Sequence, residues 1–396
     1  MLAHVSVGWR STIAGWVVVS LIVVTSSAAA EPPDPVGEGD SGPSIGDRVT
    51  EIFDRIWGYP TLYENPDNPV LKKLRFRGRF QADFPVFDSN RDDYHEPEVR
   101  RFRLGLKSDW RNHITLHAEV DLDTTCDEGE RCDGDTYVGL SDAYIGWAPS
   151  EVVELKLGKM SASFTLDGKT SSKRLLTIDR NNVTNNVWFP AEYFSGAEVS
   201  GRLDTSRYRV GVYSSTTGSE FGSFDGGYFG ILTYGHDFSK QLEVDEFLVA
   251  IDYVYNESDR KNELTRDLSH VFSLNLRFES GPWGVRSDLS GALGYHSQSD
   301  LIGFAILPYC SLTESFQLVG RYTYLHSFNG DGIRFARYEN RADSPQGDDY
   351  NEIFAGINWY IYGHDFKLQT GLQYTWMESQ RDLRGWGWTT AIRTAW

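Results

Sequence analysis

The chain has 396 residues, and its 56 acidic side chains against 38 Lys and Arg give a formal net charge of −18. This acidity argues against nucleic acid as a partner, because nucleic-acid-binding proteins carry basic patches. Aromatic residues make up 14% of the chain, with 21 Tyr and 12 Trp. This high aromatic content is typical of strands that are apolar on one side and end in aromatic girdles. It therefore favours a membrane barrel over a soluble all-β protein.

Residues 1–30 have the pattern of a signal peptide. Arg10 precedes the apolar run Thr12–Val24, and three consecutive alanines, residues 28–30, offer a small-residue cleavage site before Glu31. No later stretch approaches the roughly twenty apolar residues that a transmembrane helix needs. The mature protein is therefore predicted to be exported and not to be a helical membrane protein.

Residues 31–43 are rich in Pro, Gly and acidic residues and predict a flexible linker. Residues 44–70 predict a short helix on the periplasmic side, capped by Ser44 and running through Trp57, followed by a connector. One face of this helix is apolar and carries Ile45, Val49, Ile52, Phe53, Ile56 and Trp57. Three roles remain open for the helix: docking against the barrel, binding a partner protein, and a self-contact.

From residue 71 to residue 396 the hydrophobic pattern changes to a period of two, which predicts β-strands. The first strand, near 72–84, places Leu74, Phe76, Phe80 and Phe84 on one face. The opposite face of this strand and of the next one, near 98–110, is basic and carries Arg75, Arg77, Arg79, Arg101, Arg103 and Lys107. A single strand of this kind fits a soluble sandwich and a membrane barrel equally well.

The connections between strands distinguish the two architectures. About sixteen strands can be traced, near 72–84, 98–110, 112–123, 136–148, 151–163, 193–204, 207–216, 227–238, 243–257, 267–279, 282–294, 301–312, 315–327, 350–363, 365–377 and 385–396. Short turns such as Pro149–Ser150 alternate with long loops such as 85–97 and 328–349. This arrangement predicts an all-β fold, a transmembrane antiparallel β-barrel in the outer membrane of a Gram-negative-type bacterium.

One connection, Ser163–Glu192, is about thirty residues long and lacks apolar alternation. A loop of this length in a compact domain is usually functional. Although the chain is acidic, this loop has an excess of positive charge, with the cations Lys169, Lys173, Arg174 and Arg180. We predict that the loop folds into the lumen and forms a positive constriction. The alternative is a surface loop whose charges are solvated.

Two of the three cysteines, Cys126 and Cys132, lie close together in the segment CDEGERC and predict a disulfide within a loop. A metal site is the alternative there, although the segment contains no His. Cys310 is then left unpaired. The sequence has no GxSxG, HExxH or P-loop motif. No enzymatic activity, cofactor or metal is therefore predicted.

Five segments carry a family resemblance: LKKLRFRGRFQADF (71–84), SDAYIGWAP (141–149), ELKLGKMSASF (154–164), SSKRLLTIDRNNV (171–183) and YFSGAEVSG (193–201). Together they resemble the phosphate-selective porin O and P family, over about Leu71 to Trp396. The resemblance implies a sixteen-stranded, usually trimeric barrel whose basic lumen passes anions, with Ser163–Glu192 at the place of the pore loop. Ala162 stands where the family tends to have a proline.

The predicted function is passive diffusion of small anions such as phosphate, because an arginine side chain can bind two oxygens of one anion. The predicted anion pathway consists of Arg75, Arg77, Arg79, Arg101, Arg103, Lys169, Lys173, Arg174 and Arg180. Two alternatives remain open: a porin for sugars or other organic solutes, lined by Tyr213, Phe354 and Tyr360, and a non-conducting surface barrel used for adhesion. The expected partners are outer-membrane lipid, small anionic solutes and further copies of the chain in a homotrimer.

Overall fold

The protein is described from a computed structural model, which covers residues 45–122, 137–216, 220–257, 262, 264–343, 346–379 and 382–396. The predicted signal peptide, the linker 31–43 and the Cys126–Cys132 pair lie outside these described residues. Contacts divide the chain into Met1–Asp47, of which only 45–47 are described, and Arg48–Trp396, which contains the barrel.

Sixteen antiparallel strands form one closed barrel, which confirms the predicted fold class. The strands are β1 (Leu71–Ser89), β2 (Glu98–Trp110), β3 (Ile114–Leu122), β4 (Tyr137–Ser150), β5 (Val153–Ser161), β6 (Tyr193–Leu203), β7 (Ser206–Ser214), β8 (Tyr228–Asp237), β9 (Glu246–Asn256), β10 (Leu268–Ser280), β11 (Trp283–Gly294), β12 (Leu301–Ser311), β13 (Phe316–Ser327), β14 (Asp349–Tyr362), β15 (Phe366–Glu378) and β16 (Leu383–Ala395). Each strand pairs with the next, and β16 pairs with β1 from Arg79–Ala395 to Ser89–Gly385. This last pairing joins the first and the last strand, so the sheet is closed and has no unpaired edge strand.

The connections from the odd-numbered strands lie at one end of the barrel, which we call the loop rim. They include the long segments 90–97, 162–192 and 328–348. The connections from the even-numbered strands lie at the other end, which we call the turn rim, and include 151–152, 204–205 and 281–282. The alternation of long and short connections that the sequence predicts is therefore present at these positions.

The first strand is longer than predicted, because it continues through Pro85 to Ser89. Pro85 pairs with Thr389 of β16, whereas the pairing of β1 with β2 ends at Asp83 and Glu98. Pro85 thus lies where β1 has already lost its second neighbour. Its missing N–H leaves no hydrogen bond to β2 unmade, so the proline does not end the strand.

Helices and short strands occupy the connections and the N-terminal segment. The α-helices are α1 (Ile45–Gly58), α2 (Leu166–Lys169), α3 (Asn182–Val187), α4 (Ser239–Leu242) and α5 (Arg337–Ala342), and 3-10 turns occupy Arg111–His113 and Phe224–Gly226. Short strands lie at Thr61–Glu64, Asp93–Tyr94, Ile333–Arg334 and Gln346–Gly347. None of the helices within the described residues is both long enough and apolar enough to cross a membrane.

The outer and inner faces of the barrel differ in polarity. Large apolar side chains remain exposed on the outside, for example Leu157 (66% exposed), Leu372 (54%) and Trp386 (62%). The inner face of β1 instead buries polar side chains, including Gln81 and Asp83. An exposed apolar wall of this extent is stable in lipid, whereas the polar inner face requires partners inside the lumen.

The N-terminal connector seals the barrel beside its last strand. Thr61–Glu64 pairs with β1 on the edge that β16 occupies further along, and the Phe76 N–H donates to the Pro60 carbonyl at 2.8 Å. The backbones of Gly78 and Trp396 exchange two hydrogen bonds of 3.1 Å. A Cβ at position 78 would lie 2.3 Å from the indole ring of Trp396, so any larger residue there would displace this ring.

Candidate functional site

The loop of residues 162–192, which follows β5, enters the lumen; we call it the pore loop. The Thr165 N–H donates to the carboxylate of Asp252 on β9 at 3.0 Å, and Ser172 accepts a hydrogen bond from Arg79 on β1 at 2.8 Å. Strands β1 and β9 are eight apart in a ring of sixteen, so they lie on opposite walls. The pore loop therefore crosses the lumen between Thr165 and Ser172.

Side chains of the barrel wall bind the backbone of the pore loop further along. Lys367 donates to the Leu175 carbonyl at 2.6 Å, and Asn358 donates to the Leu176 carbonyl at 2.9 Å. These wall residues belong to β15 and β14 and are almost fully buried. The polar inner face of the barrel thus satisfies carbonyl groups that a buried loop would otherwise leave without partners.

A polar network inside the pore loop fixes its shape. The Asp167 carboxylate accepts hydrogen bonds from the backbone N–H (2.9 Å) and the side-chain amide (2.7 Å) of Asn181, which in turn caps α3. Arg180 donates to the Asp167 carbonyl at 2.9 Å, lies 3.7 Å from the Glu192 carboxylate and stacks over Trp188. Arg180 therefore ties the two ends of the loop to each other.

The second half of the pore loop is anchored by apolar packing. Val183 and Val187 of α3 are fully buried, and α3 packs against β11, β12 and β13. Phe189 contacts Phe164 and Phe229 edge to face, with ring centroids 5.3 and 5.0 Å apart. A hydrophobic core inside the lumen thus holds α3 against one wall and leaves the remaining space to polar groups.

The four predicted cations of the pore loop occupy different surroundings. Lys169 forms an ion pair of 2.7 Å with Asp252, whose side chain is almost fully buried on the opposite wall from β1. Arg174 is exposed, and Arg180 is buried in the network described above. The structure therefore does not bring these side chains together into one ring of charge.

Lys173 lies near two arginines of β1. Its ammonium group donates to the backbone carbonyl of Gly78 in β1 at 3.0 Å. Burial, and then the positive charges of Arg79 and Arg77, lower the pKa of Lys173 to about 8. Lys173 is thus a lysine whose charge is sensitive to pH near neutrality.

The predicted arginines of β1 and β2 separate into paired and unpaired groups. Arg79 forms an ion pair of 2.9 Å with Glu119, and Arg103 forms one of 2.9 Å with Asp121. Arg75 reaches Asp109 at 3.4 Å, whereas no ion pair to Arg77 is formed within the described ranges.

Arg101, the remaining predicted arginine of these strands, is 8% exposed. It donates a hydrogen bond to Gln81, and no carboxylate among the described residues lies within ion-pair distance of it. Within the described strands, acidic side chains of the barrel wall therefore neutralise Arg75, Arg79 and Arg103, but not Arg77 or Arg101.

A cavity of about 1030 Å³ lies beside the pore loop toward the loop rim, and we call it the vestibule. Its lining contains eight arginines: Arg100, Arg101, Arg103, Arg180, Arg266, Arg334, Arg337 and Arg341. The acidic residues of the lining are Asp121, Asp179 and Glu192. The vestibule is therefore strongly basic, although the whole chain is acidic.

The arginines also control the ionisation of the acids in this lining. Burial alone would raise the pKa of Asp179, but Arg100, Arg337 and Arg101 outweigh it and lower that pKa to about 2. Burial is likewise outweighed at Glu192, where Arg180 is the strongest of the arginines that lower the pKa to about 2. Both carboxylates thus stay charged at neutral pH and offset part of the positive lining.

A second loop, residues 328–348, also folds inward and supplies three of the vestibule arginines. Arg337 of α5 binds the Glu98 carboxylate through two hydrogen bonds of 2.6 and 2.9 Å. The backbone of Arg334 is bound to Asn186 of the pore loop, at 2.8 Å for its N–H and 3.1 Å for its carbonyl. The two inward loops therefore contact each other directly.

Behind α5, a buried carboxyl group fastens the second loop to the wall. Glu339 is fully buried and accepts hydrogen bonds from Tyr350 (3.0 Å), Gln373 (3.0 Å) and Thr375 (2.5 Å). Burial, and then the charge of Glu352, raise the pKa of Glu339 to about 7.

Sequence reasoning missed five of the vestibule arginines. These are Arg100, Arg266, Arg334, Arg337 and Arg341. The segment IRFARYENRA places arginines 337 and 341 four residues apart, a helical spacing that could have indicated a basic helix in this loop.

A closed barrel of sixteen strands that is apolar outside, polar inside and crossed by an inward loop is the architecture of an outer-membrane porin, a channel rather than an enzyme. The chain belongs to the phosphate-selective porin O and P family, whose model matches residues 74–278. A comparison with curated proteins found no match.

Solved structures of outer-membrane porins share the fold. OprB of Pseudomonas putida in its high-pH structure is 8% identical with a TM-score of 0.56, and the match covers 82% of this chain and 94% of that one. The trimer form of in-vitro folded OmpT of Vibrio cholerae is 10% identical with a TM-score of 0.53, covering 82% and 99%. Salmonella typhi OmpF in complex with daunomycin is 12% identical with a TM-score of 0.53, covering 81% and 97%.

Proposed function

We propose that this porin is a passive diffusion channel that prefers small anions such as phosphate. The observation that carries the proposal is the vestibule, whose lining holds eight arginines against three acids. Side-chain charges at a narrow passage select permeating ions by sign. Arginine suits phosphate because its planar guanidinium offers two parallel donors to two oxygens.

Some of these arginines have no compensating acid. Arg101, Arg266 and Arg334 form no ion pair with any carboxylate among the described residues. Arg266 instead donates to the carbonyl groups of Asn185 and Trp188 in the pore loop. The field of these three guanidinium groups therefore extends into the vestibule, where a diffusing anion would meet it at reduced dielectric.

A reversal potential measured across a potassium chloride gradient in a planar bilayer tests the proposal. The protein should reverse close to the chloride equilibrium potential, and clear cation preference would reject an anion channel. The double variant Arg334→Gln, Arg341→Gln should move the reversal potential toward zero. Arg337 is left in place because it binds Glu98 through two hydrogen bonds, whereas Arg341 is 53% exposed and lies 3.7 Å from the same carboxylate.

A matched control removes two charges far from the vestibule. Arg202 and Arg207 lie near the turn rim, are 51% and 45% exposed, and each approach Asp237. The double variant Arg202→Gln, Arg207→Gln has the same change in net charge and should leave the reversal potential nearly unchanged. Equal shifts in both double variants would mean that net charge, and not the vestibule, controls selectivity.

Competition between solutes tests the finer proposal for phosphate. Phosphate should reduce the chloride current at concentrations at which an uncharged oligosaccharide does not.

The alternative of an organic solute depends on aromatic residues in the lumen. Two of them, Tyr213 (0% exposed) and Phe354 (6%), are buried, which does not favour that alternative. Block by the oligosaccharide alone would support it, and absence of any conductance would support a non-conducting barrel.

We also propose that the protein works as a homotrimer embedded in outer-membrane lipid. The trimer form described for OmpT of Vibrio cholerae, which has the same fold, supports this assembly. Mass measurement of the protein extracted in mild detergent should give three copies of the chain. A single copy in a preparation that still conducts would contradict the proposal.

A further inference from the structure

The helix α1 is attached to the outside of the barrel. Phe53 stacks on Tyr362 with ring centroids 5.5 Å apart, and Trp57 stacks on Phe366 at 6.3 Å. Two hydrogen bonds fix the helix further. The Trp57 indole donates to the Ala395 carbonyl at 2.6 Å, and the Tyr362 hydroxyl donates to Asp54 at 2.6 Å.

The strand pattern shows which side of the barrel this is. In β15, Lys367 and Gln369 are almost fully buried and point into the lumen, where both bind the pore loop. Phe366 has the opposite parity and shares its face with Leu372, which is 54% exposed on the outer wall. Tyr362 pairs directly with Phe366 and lies on the same outer side. The helix therefore packs on the wall that faces lipid.

The docking position lies at the turn rim, within a band of aromatic residues. Tyr362 and Phe366 flank the turn between β14 and β15. Phe316 and Trp359, also on outward positions near this rim, stack at 5.9 Å and are 42% and 36% exposed. Aromatic bands of this kind mark the boundary between hydrocarbon and headgroups in outer-membrane barrels.

Beside its docked face, α1 presents apolar side chains that the protein does not cover. Ile52 and Ile56, one turn apart, are 57% and 47% exposed. The polar side of the helix carries Glu51 and Arg55, at helical positions nearly opposite the docked ring of Phe53, and Ile52 and Ile56 lie between these two sides. A helix with this division of side chains lies flat in a membrane boundary, with its apolar residues toward the acyl chains.

We infer that α1 is an interfacial helix whose Ile52 and Ile56 enter the acyl region of the leaflet at the turn rim. The occupant of this apolar face is phospholipid, because the face continues the lipid-facing wall on which α1 is docked. The inference depends on the barrel being in the membrane and is independent of anion preference. It assigns a role to a segment that precedes the barrel strands.

Photo-crosslinking of the full chain tests this inference. Benzoylphenylalanine is placed at Ile56 in one variant, at Ile52 in a second and at Glu51 in a control, and each is inserted into vesicles of phosphatidylethanolamine and phosphatidylglycerol. Ultraviolet irradiation should give phospholipid adducts, identified by mass, several-fold more often at Ile56 and Ile52 than at Glu51. Heat-modifiable mobility on a gel verifies that each variant is folded before irradiation.

The same three variants are irradiated in intact cells to identify competing occupants. Phospholipid adducts at Ile52 and Ile56 should again dominate. A covalent dimer of the chain would show that the face binds a second copy, and an adduct with another protein would show that it binds a partner. Either result, or lipid adducts no more frequent at both isoleucines than at Glu51, would overturn the inference.

Discussion

Arg101 of β2 donates a hydrogen bond to the side-chain oxygen of Gln81 on β1 at 3.1 Å, and this neutral amide is its bonded partner in the barrel wall. Arg101 is 8% exposed and lines the vestibule. A buried charge without an acid in ion-pair contact is expensive, because water has been removed and the carboxylates of Asp179 and Glu192 act on it only from a distance. An anion in the vestibule would supply the missing partner, so Arg101 is the best candidate for direct contact with a permeating ion.

Replacing Arg101 by Gln should therefore reduce anion preference. Loss of one charge at a poorly screened site changes the free energy of a nearby anion by about 1 kcal/mol or more, roughly fivefold in the anion-to-cation permeability ratio. The measurement is the reversal potential across a salt gradient. Arg101→Lys should stay near the native value because it keeps the charge, and a native value for Arg101→Gln would exclude Arg101 from the pathway.

Lys173 should make the anion preference of the channel depend on pH. Because its pKa is lowered to about 8, the ammonium group is charged at neutral pH and becomes neutral as the pH rises through 8. Anion preference should consequently fall between about pH 7 and pH 9, a range in which arginines keep their charge. Reversal potentials recorded across this range, with the same salt gradient at each pH, measure the effect.

The matched variant for this titration is Lys173→Arg. It keeps a positive charge throughout the range, so the fall in anion preference should largely disappear. Lys173→Met should show, at every pH, the reduced anion preference that the native channel reaches at about pH 9. An unchanged pH profile in Lys173→Arg would mean that another group titrates and that Lys173 lies outside the conducting path.

The contrast between Lys169 and Lys173 shows what the sequence could and could not predict about the pore loop. The length and charge of residues 163–192 predicted that the segment is functional, and the alternating pattern predicted sixteen strands around it. The sequence offered no way to know that Lys169 meets Asp252, because these residues are 83 positions apart and meet only when the barrel closes. Long-range pairing of this kind leaves no local signal.

Removing the Lys169 charge should loosen the pore loop more than it changes selectivity. Asp252 is 1% exposed and would remain buried next to the neutral side chain in Lys169→Met. Breaking a buried ion pair costs about 3–5 kcal/mol, although the hydrogen bonds of Asp252 to Thr165 and Asn275 lessen the loss here. Single-channel recordings should show larger current fluctuations than in the native protein.

A double-mutant cycle separates the ion pair from the loss of charge. Asp252→Asn combined with Lys169→Met removes both partners and keeps the net charge of the native protein. The current fluctuations of this double variant should therefore be close to those of the native channel. If the increase in current fluctuations in the double variant equals the sum of the increases in the two single variants, Lys169 and Asp252 are not coupled. The loop would then depend on its other contacts.

Arg180 should control the width of the passage. It joins the Asp167 carbonyl to the Glu192 carboxylate and is 4% exposed, so it connects the start of the pore loop with its end. Arg180→Ala should let the ends separate, and conductance should rise by more than the anion preference shifts. Arg180→Lys keeps the charge but cannot form both contacts in the same plane, and should give an intermediate conductance.

Bulky uncharged polymers check the width directly. Poly(ethylene glycol) of increasing size is added, and the size at which it no longer reduces conductance should be larger for Arg180→Ala than for the native channel. An unchanged size limit, together with a changed reversal potential, would contradict the structural role and assign Arg180 to the ion path.

The vestibule was less predictable than the barrel, for a physical reason. Parity along a strand assigns the faces of Arg101 and Arg103 from the sequence alone, since side chains alternate. Arg337 lies in a long loop, where no period decides whether a side chain points into the lumen or to bulk solvent. Its position depends on the bond to Glu98, which is 239 residues away. The acidic surroundings of this loop in sequence obscured its basic role.

The attachment of the second inward loop, residues 328–348, to the barrel wall should be more stable at low pH than at high pH. Glu339 has a pKa raised from 4.5 to about 7, so the folded loop retains a proton that the released loop loses. The stabilising effect of this proton is complete below about pH 4.5 and is lost as the pH rises through 7. Above that pH, Glu339 becomes negative while buried and near the Glu352 carboxylate, which disfavours the attached loop. Current fluctuations in single-channel recordings should therefore increase between about pH 5 and pH 8.

Glu339→Gln is the matched variant, because the amide resembles the protonated carboxyl and cannot titrate. Current fluctuations in this variant should stay small from about pH 5 to pH 8. The reversal potential should stay near its native value, since Glu339 does not line the vestibule. Glu98→Gln instead weakens the two hydrogen bonds to Arg337 and should raise fluctuations at every pH. If Glu339→Gln keeps the native pH profile, a different group controls the second loop, and the buried carboxyl serves only to fill the space behind α5.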